Sequence, residues 1–283
     1  MDKLLFGTAG IPLSTIPPDT INGIKQVRAL GLSAMELEFV QSVNISAEKA
    51  PQVREEAAKH KVLLTAHGSY YINLNAAEED KYKASILRIL QAGRILSMCG
   101  GWSLVFHAGF YLKSTRQNTY EKIKGALKEI RKTLLNEGVE VWIRPETTGK
   151  PSQFGDLFEL ISVSEEVEGV LPCIDFSHLY ARSAGRINKK EDFVEMIGAI
   201  ESRLGQEALK NMHIHLSGIN YTEKGERNHL NFDECNMNYK GVLEALNEYK
   251  CAGVIISESP NIENDAIAAK KYFETLLKKG PDG

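Results

Sequence analysis

The chain is poor in the features that mark a disulfide scaffold, a thiolate metal knot or a nucleotide loop. Its 283 residues hold four cysteines, Cys99, Cys173, Cys235 and Cys251, spaced far apart and without a C-x-x-C pair. That spacing argues against a disulfide framework and a thiolate zinc site and leaves buried free thiols. No glycine-rich dinucleotide fingerprint or phosphate loop follows any strand-like run. No apolar run approaches the roughly 18 residues of a membrane span. The N-terminus, Met1-Asp2-Lys3-Leu4-Leu5-Phe6-Gly7, leads straight into a strand-like segment without the apolar stretch and cleavage site of a signal peptide, so the cytoplasm is the expected location. A basic excess is also missing. The formal net charge of −3 weighs mildly against a nucleic-acid binder. It does not exclude a local basic face, and it omits any bound divalent ions. Internal repeats, low-complexity tracts and interdomain linkers are absent as well.

What is present is an ordinary globular composition, 43% hydrophobic and 25% charged. Apolar runs alternate with amphipathic ones through eight cycles. The strands read as Leu4–Ala9, Ala34–Val40, Val62–Gly68, Trp102–Gly109, Val139–Thr147, Val170–His178, Asn211–Gly218 and Gly253–Ser259. Most are near-continuous hydrophobic runs, as parallel strands covered on both faces should be. Between them Glu79–Met98, Thr119–Leu135 and Ala266–Leu277 carry one apolar stripe each at helical spacing. Ser46-Ala47-Glu48 reads as the opening of a further helix, with Pro51 in its first turn. Eight βα cycles predict a single (β/α)8 barrel of the TIM type, one domain over 1–283, in preference to an open doubly wound sheet. The longest irregular stretch is Ile219–Asn238, and loops of that length tend to be functional.

Metal-type residues collect at strand ends. His67 ends strand three, His107 strand four, Glu146 strand five, Asp175 and His178 strand six, and Glu258 strand eight. His213 and His215 lie in strand seven, with His229 in the loop after it; His60 reads as a helix-end surface residue. Barrel strands aim their C-terminal ends at one mouth, where barrel active sites lie. Imidazoles and carboxylates without thiolates suit an open catalytic site for zinc, manganese or iron. Taken singly, each of these residues has a plainer structural reading. His213 is expected to be structural, and Glu146 has Arg144 two residues away as a potential ion-pair partner. Eight or nine ligand-type groups on one edge nevertheless exceed the needs of one ion, and buried charges rarely cluster without a purpose.

Six segments resemble endonuclease IV, the zinc-dependent apurinic/apyrimidinic endonuclease of the xylose-isomerase-like barrel superfamily. His67-Gly68-Ser69-Tyr70-Tyr71-Ile72-Asn73-Leu74 resembles its H-x-S-Y-x-I-N-L signature, and Phe106-His107-Ala108-Gly109 its F-H-P-G. Arg144-Pro145-Glu146-Thr147-Thr148-Gly149 resembles L-E-N-T-A-G, and Cys173-Ile174-Asp175-Phe176-Ser177-His178 resembles C-I-D-T-C-H. His215-Leu216-Ser217 and Ser257-Glu258-Ser259 resemble H-L-N-D and L-E-T. The segments occur in the family's order and cover nearly the whole chain. The resemblance implies a first zinc on His67, His107 and Glu146, and a second on Glu146, Asp175, His215 and Glu258. A third would be held by His178 and two residues of the loop after strand seven. There the family has D-x-H, whereas this chain reads Glu226-Arg227-Asn228-His229. An ungapped match puts Asn228 where a histidine belongs; a one-residue shift lets Glu226 and His229 serve instead. The family's DNA-inserting loop after strand two is here Gln41-Ser42-Val43-Asn44, with no arginine, while Tyr70 matches its groove-probing tyrosine.

The resemblance therefore implies metal-dependent hydrolysis on the 5′ side of abasic sites in DNA, with Glu146 as the catalytic bridge. The cofactor would be two or three Zn2+ ions, with Mn2+ as an alternative. Tyr70 and Arg227 would contact DNA, with Lys224 and Lys113 as further phosphate candidates. The expected partner is abasic-site DNA, without a membrane, and the chain is expected to act as a monomer. The main rival is a single-metal sugar isomerase or epimerase of the same superfamily, which would use Glu146, Asp175, His215 and Glu258 around one ion. A third is a catalytically silent binder on the same fold.

Overall fold

Eight short strands run parallel in one sheet: β1 (Leu4–Ala9), β2 (Ala34–Glu38), β3 (Leu63–His67), β4 (Ser103–Phe106), β5 (Trp142–Pro145), β6 (Cys173–Asp175), β7 (Met212–Leu216) and β8 (Gly253–Ser257). The computed structural model describes Met1–Lys279; positions 280–283, the end of the domain expected over 1–283, lie outside the described residues. Strand order is β5-β4-β3-β2-β1-β8-β7-β6. The two edges are joined by bridges between Ile143 and Val170 and between Glu146 and Cys173, so the sheet closes. The fold is a TIM barrel.

Helices α1 (Thr20–Ala29), α2 (Ala50–His60), α3 (Glu79–Met98), α4 (Arg116–Asn136), α5 (Leu157–Glu166), α6 (Phe176–Arg182), α7 (Lys190–Lys210, broken at Gly205), α8 (Tyr239–Glu248) and α9 (Glu263–Lys279) surround the strands. Their buried stripes and the outward strand residues form the main core, from Ile24 and Val27 to Phe193, Leu243 and Phe273. A second apolar cluster of Ala34, Val254 and Ile256, flanked by Leu5, Ala9, Leu63 and Trp102, is separate from it. The strands' remaining buried side chains are largely polar, among them Glu36, Thr65, Ser103, His213 and His215.

Three expectations are corrected. The sixth strand ends at Asp175, not at His178, because the Asp175 carboxylate accepts the His178 backbone N–H and caps α6. His178 therefore projects from the first turn of a helix. The second helix opens at Ala50 rather than Ser46; the Ser46 carbonyl accepts the N–H groups of Lys49 and Ala50 in a preceding turn, and Pro51 sits at the helix start. The stretch Ile219–Asn238 is not irregular. It folds mostly as an antiparallel hairpin, Gly218–Thr222 against Gly225–Leu230, followed by a 3-10 turn over Phe232–Glu234.

Candidate metal centre

Parallel register brings the strand-end residues to one mouth. His67 pairs laterally with Glu38 on β2, and Asp175 with His215 on β7. Glu146 follows β5 and is fully buried between its neighbours. Its Oε2 lies 3.3 Å from His67 Nε2 and 3.1 Å from His107 Nε2. Its Oε1 lies 3.0 Å from His215 Nδ1 and 3.3 Å from His178 Nδ1. One carboxylate thus faces two groups of imidazoles, one with each oxygen.

Backbone carbonyls decide which ring nitrogen each histidine presents. A carbonyl can only accept, so a ring nitrogen beside one carries the proton and its opposite nitrogen keeps a lone pair. His67 Nδ1 donates to the Gly68 carbonyl at 2.8 Å, His178 Nδ1 to the Thr147 carbonyl at 3.0 Å and His229 Nδ1 to the Glu258 carbonyl at 3.1 Å. All three therefore offer Nε2. His215 is turned the other way. Its Nδ1 faces Glu146 and, at 3.4 Å, Glu258, while its Nε2 stands 2.9 Å from the Glu36 carboxylate.

The hairpin completes the cluster by an irregularity. His178 Nε2 lies 3.5 Å from Glu226 Oε2 and 3.4 Å from His229 Nε2. In a regular strand residues three apart point to opposite faces. Here Asn228 pairs with Asn220 but Glu226 pairs with Tyr221, so Arg227 is the extra residue of a β-bulge. The bulge reverses the alternation and turns Glu226 and His229 to the same side. Asn228 is exposed and bonds only locally, its side-chain amide donating to the His229 carbonyl. Two glycines allow the close approach. A Cβ on Gly149 would fall 2.5 Å from the Glu226 Cβ, and one on Gly225 would fall 2.3 Å from the Gly149 carbonyl. Gly225 also has φ of +92°.

Two acidic residues escaped the sequence reading. Glu36 and Glu38 lie two apart on β2 and so share the inward face. Glu36 is fully buried; its Oε2 accepts from the Thr65 hydroxyl at 2.7 Å and lies 3.2 Å from His213 Nε2. Ser103 Oγ lies 2.9 Å from His213 Nδ1 on its far side. His213 is thus a structural relay beneath the mouth. Glu38 stands at the strand end, and its Oε1 is covered without a hydrogen-bond partner. Alternation in Glu36-Leu37-Glu38 was the available signal; it was masked because β2 reads as a generic buried strand.

Burial opposes charge throughout the mouth, and the neighbours decide each outcome. Burial would raise the Glu146 carboxyl, but His215 and His107 outweigh it and hold it well below its usual range. Glu258 is held down to about 2, where His215 overcomes burial. Burial would lower His67, yet the Glu146 carboxylate raises it to about 9. His178 and His215 are likewise held well above the usual histidine value. Asp175 is raised to about 6, where burial exceeds the pull of His178. Burial lowers His213 to about 4 and lifts Glu38 to about 7.

These donors fit divalent ions. Ligand atoms within 4.8 Å of one another form the sets His67/His107/Glu146, Glu146/Asp175/His215/Glu258 and Asp175/His178/His229. Asp175 Oδ2 and Glu258 Oε2 are buried without hydrogen-bond partners, as oxygens turned toward a cation would be. Cys173, His213 and His215 form a further set in the barrel interior, but burial keeps the Cys173 thiol protonated and ill suited to ligation. Tyr70 is 63% exposed beside His67, with ring centroids 5.5 Å apart. Arg227, Lys224 and Lys113 are exposed. Arg144 does not pair with Glu146. It is buried against Trp102 and Trp142 and donates to the carbonyls of Pro172 and Asn211. His60 sits at the end of α2, beside Glu56.

Comparisons with known proteins give relatives in sequence and likenesses in fold. The chain is 45% identical over 96% of its length to an uncharacterized protein of Methanocaldococcus jannaschii, covering 98% of that protein. It is 26% identical to a probable endonuclease 4 of Persephonella marina, over 76% of each chain. Among solved structures, a D-tagatose 3-epimerase-like protein superposes with a TM-score of 0.73 at 19% identity, over 96% of this chain and 99% of the other. Endonuclease IV from Thermus thermophilus superposes with a TM-score of 0.70, also at 19% identity, over 96% of this chain and 100% of the other. No helix among the described residues is long and apolar enough to cross a membrane. The xylose isomerase-like TIM barrel model matches residues 24–277, and the chain belongs to that family.

Proposed function

We propose that this chain is a metal-dependent hydrolase that cleaves the DNA phosphodiester on the 5′ side of abasic sites, with zinc as its metal. The observation that carries the reading is the junction at Glu146. His67 and His107 meet one of its oxygens, and His215 and His178 the other. One ion would leave the strand-three and strand-four histidines without a task. In this reading His67, His107 and Glu146 form one ligand set and Glu146, Asp175, His215 and Glu258 a second. His178, Glu226 and His229 form the third.

Divalent ions in such a cluster lower the pKa of water, polarise the phosphate and offset charge on the departing 3′ oxygen. The protein's own groups do the positioning. Glu146 orients the attacking water between the two ligand sets. Tyr70 stands at the rim where an extrahelical sugar would enter, and lifting out a nucleotide that lacks its base costs little. Lys113, Lys224 and Arg227 would meet phosphates, so binding should weaken as salt rises.

Metal-loaded protein incubated with a duplex carrying one abasic site should cut 5′ to the site and leave a 3′ hydroxyl. Chelator treatment should abolish the cut and added zinc restore it. Protein shown to hold two or more ions per chain and still unable to cut would sink the reading. The second reading, a single-ion sugar epimerase, is favoured by one observation: Glu36 and Glu38 add two carboxyls to the barrel interior and its mouth. A His107→Ala variant separates the two, losing an ion under the first and changing little under the second.

A further inference from the structure

Glu38 is unlike every other acidic group at the mouth. It lies outside all ligand-atom sets found among the described residues, as Glu226 does, but unlike Glu226, which meets His178 Nε2 at 3.5 Å, it forms no ion pair with an imidazole among them. It is not the partner of an orienting histidine, as Glu36 is. It caps no helix. Yet it occupies the last position of β2, laterally paired with His67, on the inward face and one layer above Glu36. Its charge is felt by Tyr70 on the rim, and it in turn feels His67, Glu258 and His215. Gly10 borders it; a Cβ there would fall 3.2 Å from the Glu38 Cγ. The Glu38 carboxyl therefore stands between the rim and the deep ligand sets with Oε1 lacking any partner in the protein.

An unpartnered buried carboxyl oxygen is costly unless something arrives to satisfy it. The chemistry of the position narrows what that is. A phosphate is disfavoured as the direct partner, because it would bring a second anion beside the ionised Glu258, and against Glu38 itself whenever that carboxyl is ionised. A base is absent from an abasic nucleotide. A hydroxyl donor is what remains, and the sugar of the natural abasic site carries one at C1, where the base was lost. We propose that Glu38 is a substrate-contacting, specificity-determining residue that accepts a hydrogen bond from the C1 hydroxyl of the abasic sugar. The inference rests on the endonuclease reading and deepens it. The carboxyl selects for a hydroxylated C1 and would disfavour an intact nucleotide, whose base occupies that position. No bond is made or broken at Glu38.

The test compares two duplexes, one with a natural abasic site and one with the tetrahydrofuran analogue that lacks the C1 hydroxyl. Metal-loaded wild-type protein should show kcat/KM at least about tenfold higher on the natural site, the usual worth of a hydrogen bond to a charged group. Glu38→Ala should bring that ratio close to one while metal content per chain stays the same. Glu38→Gln, which keeps a carbonyl acceptor of the same size, should retain part of the preference. That partial rescue is a readout that mere loss of packing would not give. Equal wild-type rates on the two duplexes would overturn the role of Glu38 and leave the endonuclease reading standing. So would a preference undiminished in Glu38→Ala, or loss of an ion in both variants. Failure of the wild-type protein to cut either duplex would overturn the endonuclease reading and this inference with it.

Discussion

The deep part of the donor cluster and its outer part are built on different supports. His67, Asp175 and His215 sit on barrel strands, and Glu146 follows directly after one; each strand is hydrogen-bonded to neighbours in a closed sheet. Glu226 and His229 sit on a two-stranded hairpin that pairs with no barrel strand. In the barrel, the position of a ligand follows from register that many strands enforce together. In the hairpin, it follows from one bulged residue and two glycines. Deep ligands should therefore be hard to move and damaging to remove, while the outer ones should be separable from the rest.

The largest effect is expected at the junction of the two. Glu146→Gln keeps the side chain's shape but removes charge from both inner sets, and should lower incision by about 10³-fold or more. Metal analysis should show more than one ion lost per chain; loss of a single ion would mean that the sets are not joined through Glu146. Next, inserting one residue between Asn220 and Tyr221 gives Arg227 a cross-strand partner, removes the bulge, restores regular alternation and turns Glu226 and His229, three apart, to opposite faces. One ion per chain should be lost, with incision down by roughly 10²-fold. The deep ions should survive, and losing all of them would break the contrast between barrel and hairpin.

A smaller effect is expected from beneath the mouth. Glu36→Gln leaves His215 in place but weakens the partner of its Nε2, and metal binding at the deep set should weaken by about 10- to 100-fold in chelator competition. His229→Ala should leave that affinity nearly untouched, which sharpens the comparison from the other side. The smallest effect concerns protons. In the stripped protein the Glu146 carboxylate holds His67 up to about 9, so at pH 7.5 this imidazole is protonated, whereas a metal ligand must be unprotonated. Loading should therefore release protons, and apparent affinity should rise with pH until about 9. Calorimetry in buffers of different ionisation enthalpy reads this directly; no net release at pH 7.5 would contradict the pairing of His67 with Glu146.

Much of the barrel was legible because parallel strands buried on both faces leave long apolar runs, and Val62–Ala66 and Val254–Ile256 carry little else. The placement of His67, His107, Glu146, Asp175, His215 and Glu258 at one mouth followed from the same geometry. What stayed hidden depends on contacts distant in sequence or on local exceptions. The end of β6 was overrun because a capping carboxylate three residues before His178 looks, in sequence, like any strand-end aspartate. The hairpin was read as irregular because its strands are polar and short, with Glu223 and Lys224 at the turn. Glu36 and Glu38 were passed over because their significance lies in what β7 and β3 bring opposite them.

The bulge at Arg227 bears on how such sites are compared between relatives. With one residue inserted, an E-x-x-H segment presents the same face that a D-x-H segment presents without it. Columns of an alignment would score Asn228 as a lost ligand, although the side chains that reach His178 come from the residues on either side of the Arg227–Asn228 pair. The apparent replacement is therefore the insertion itself, read in a second column. A history that acquired the insertion in one step keeps the outer site intact throughout, because the bulge takes up the added residue. An engineer restoring the shorter spacing would need only to delete Arg227 or Asn228, because Glu226 and His229 would then stand two apart on one face. Ligands on such a hairpin are better counted by the face they share than by their position in the string.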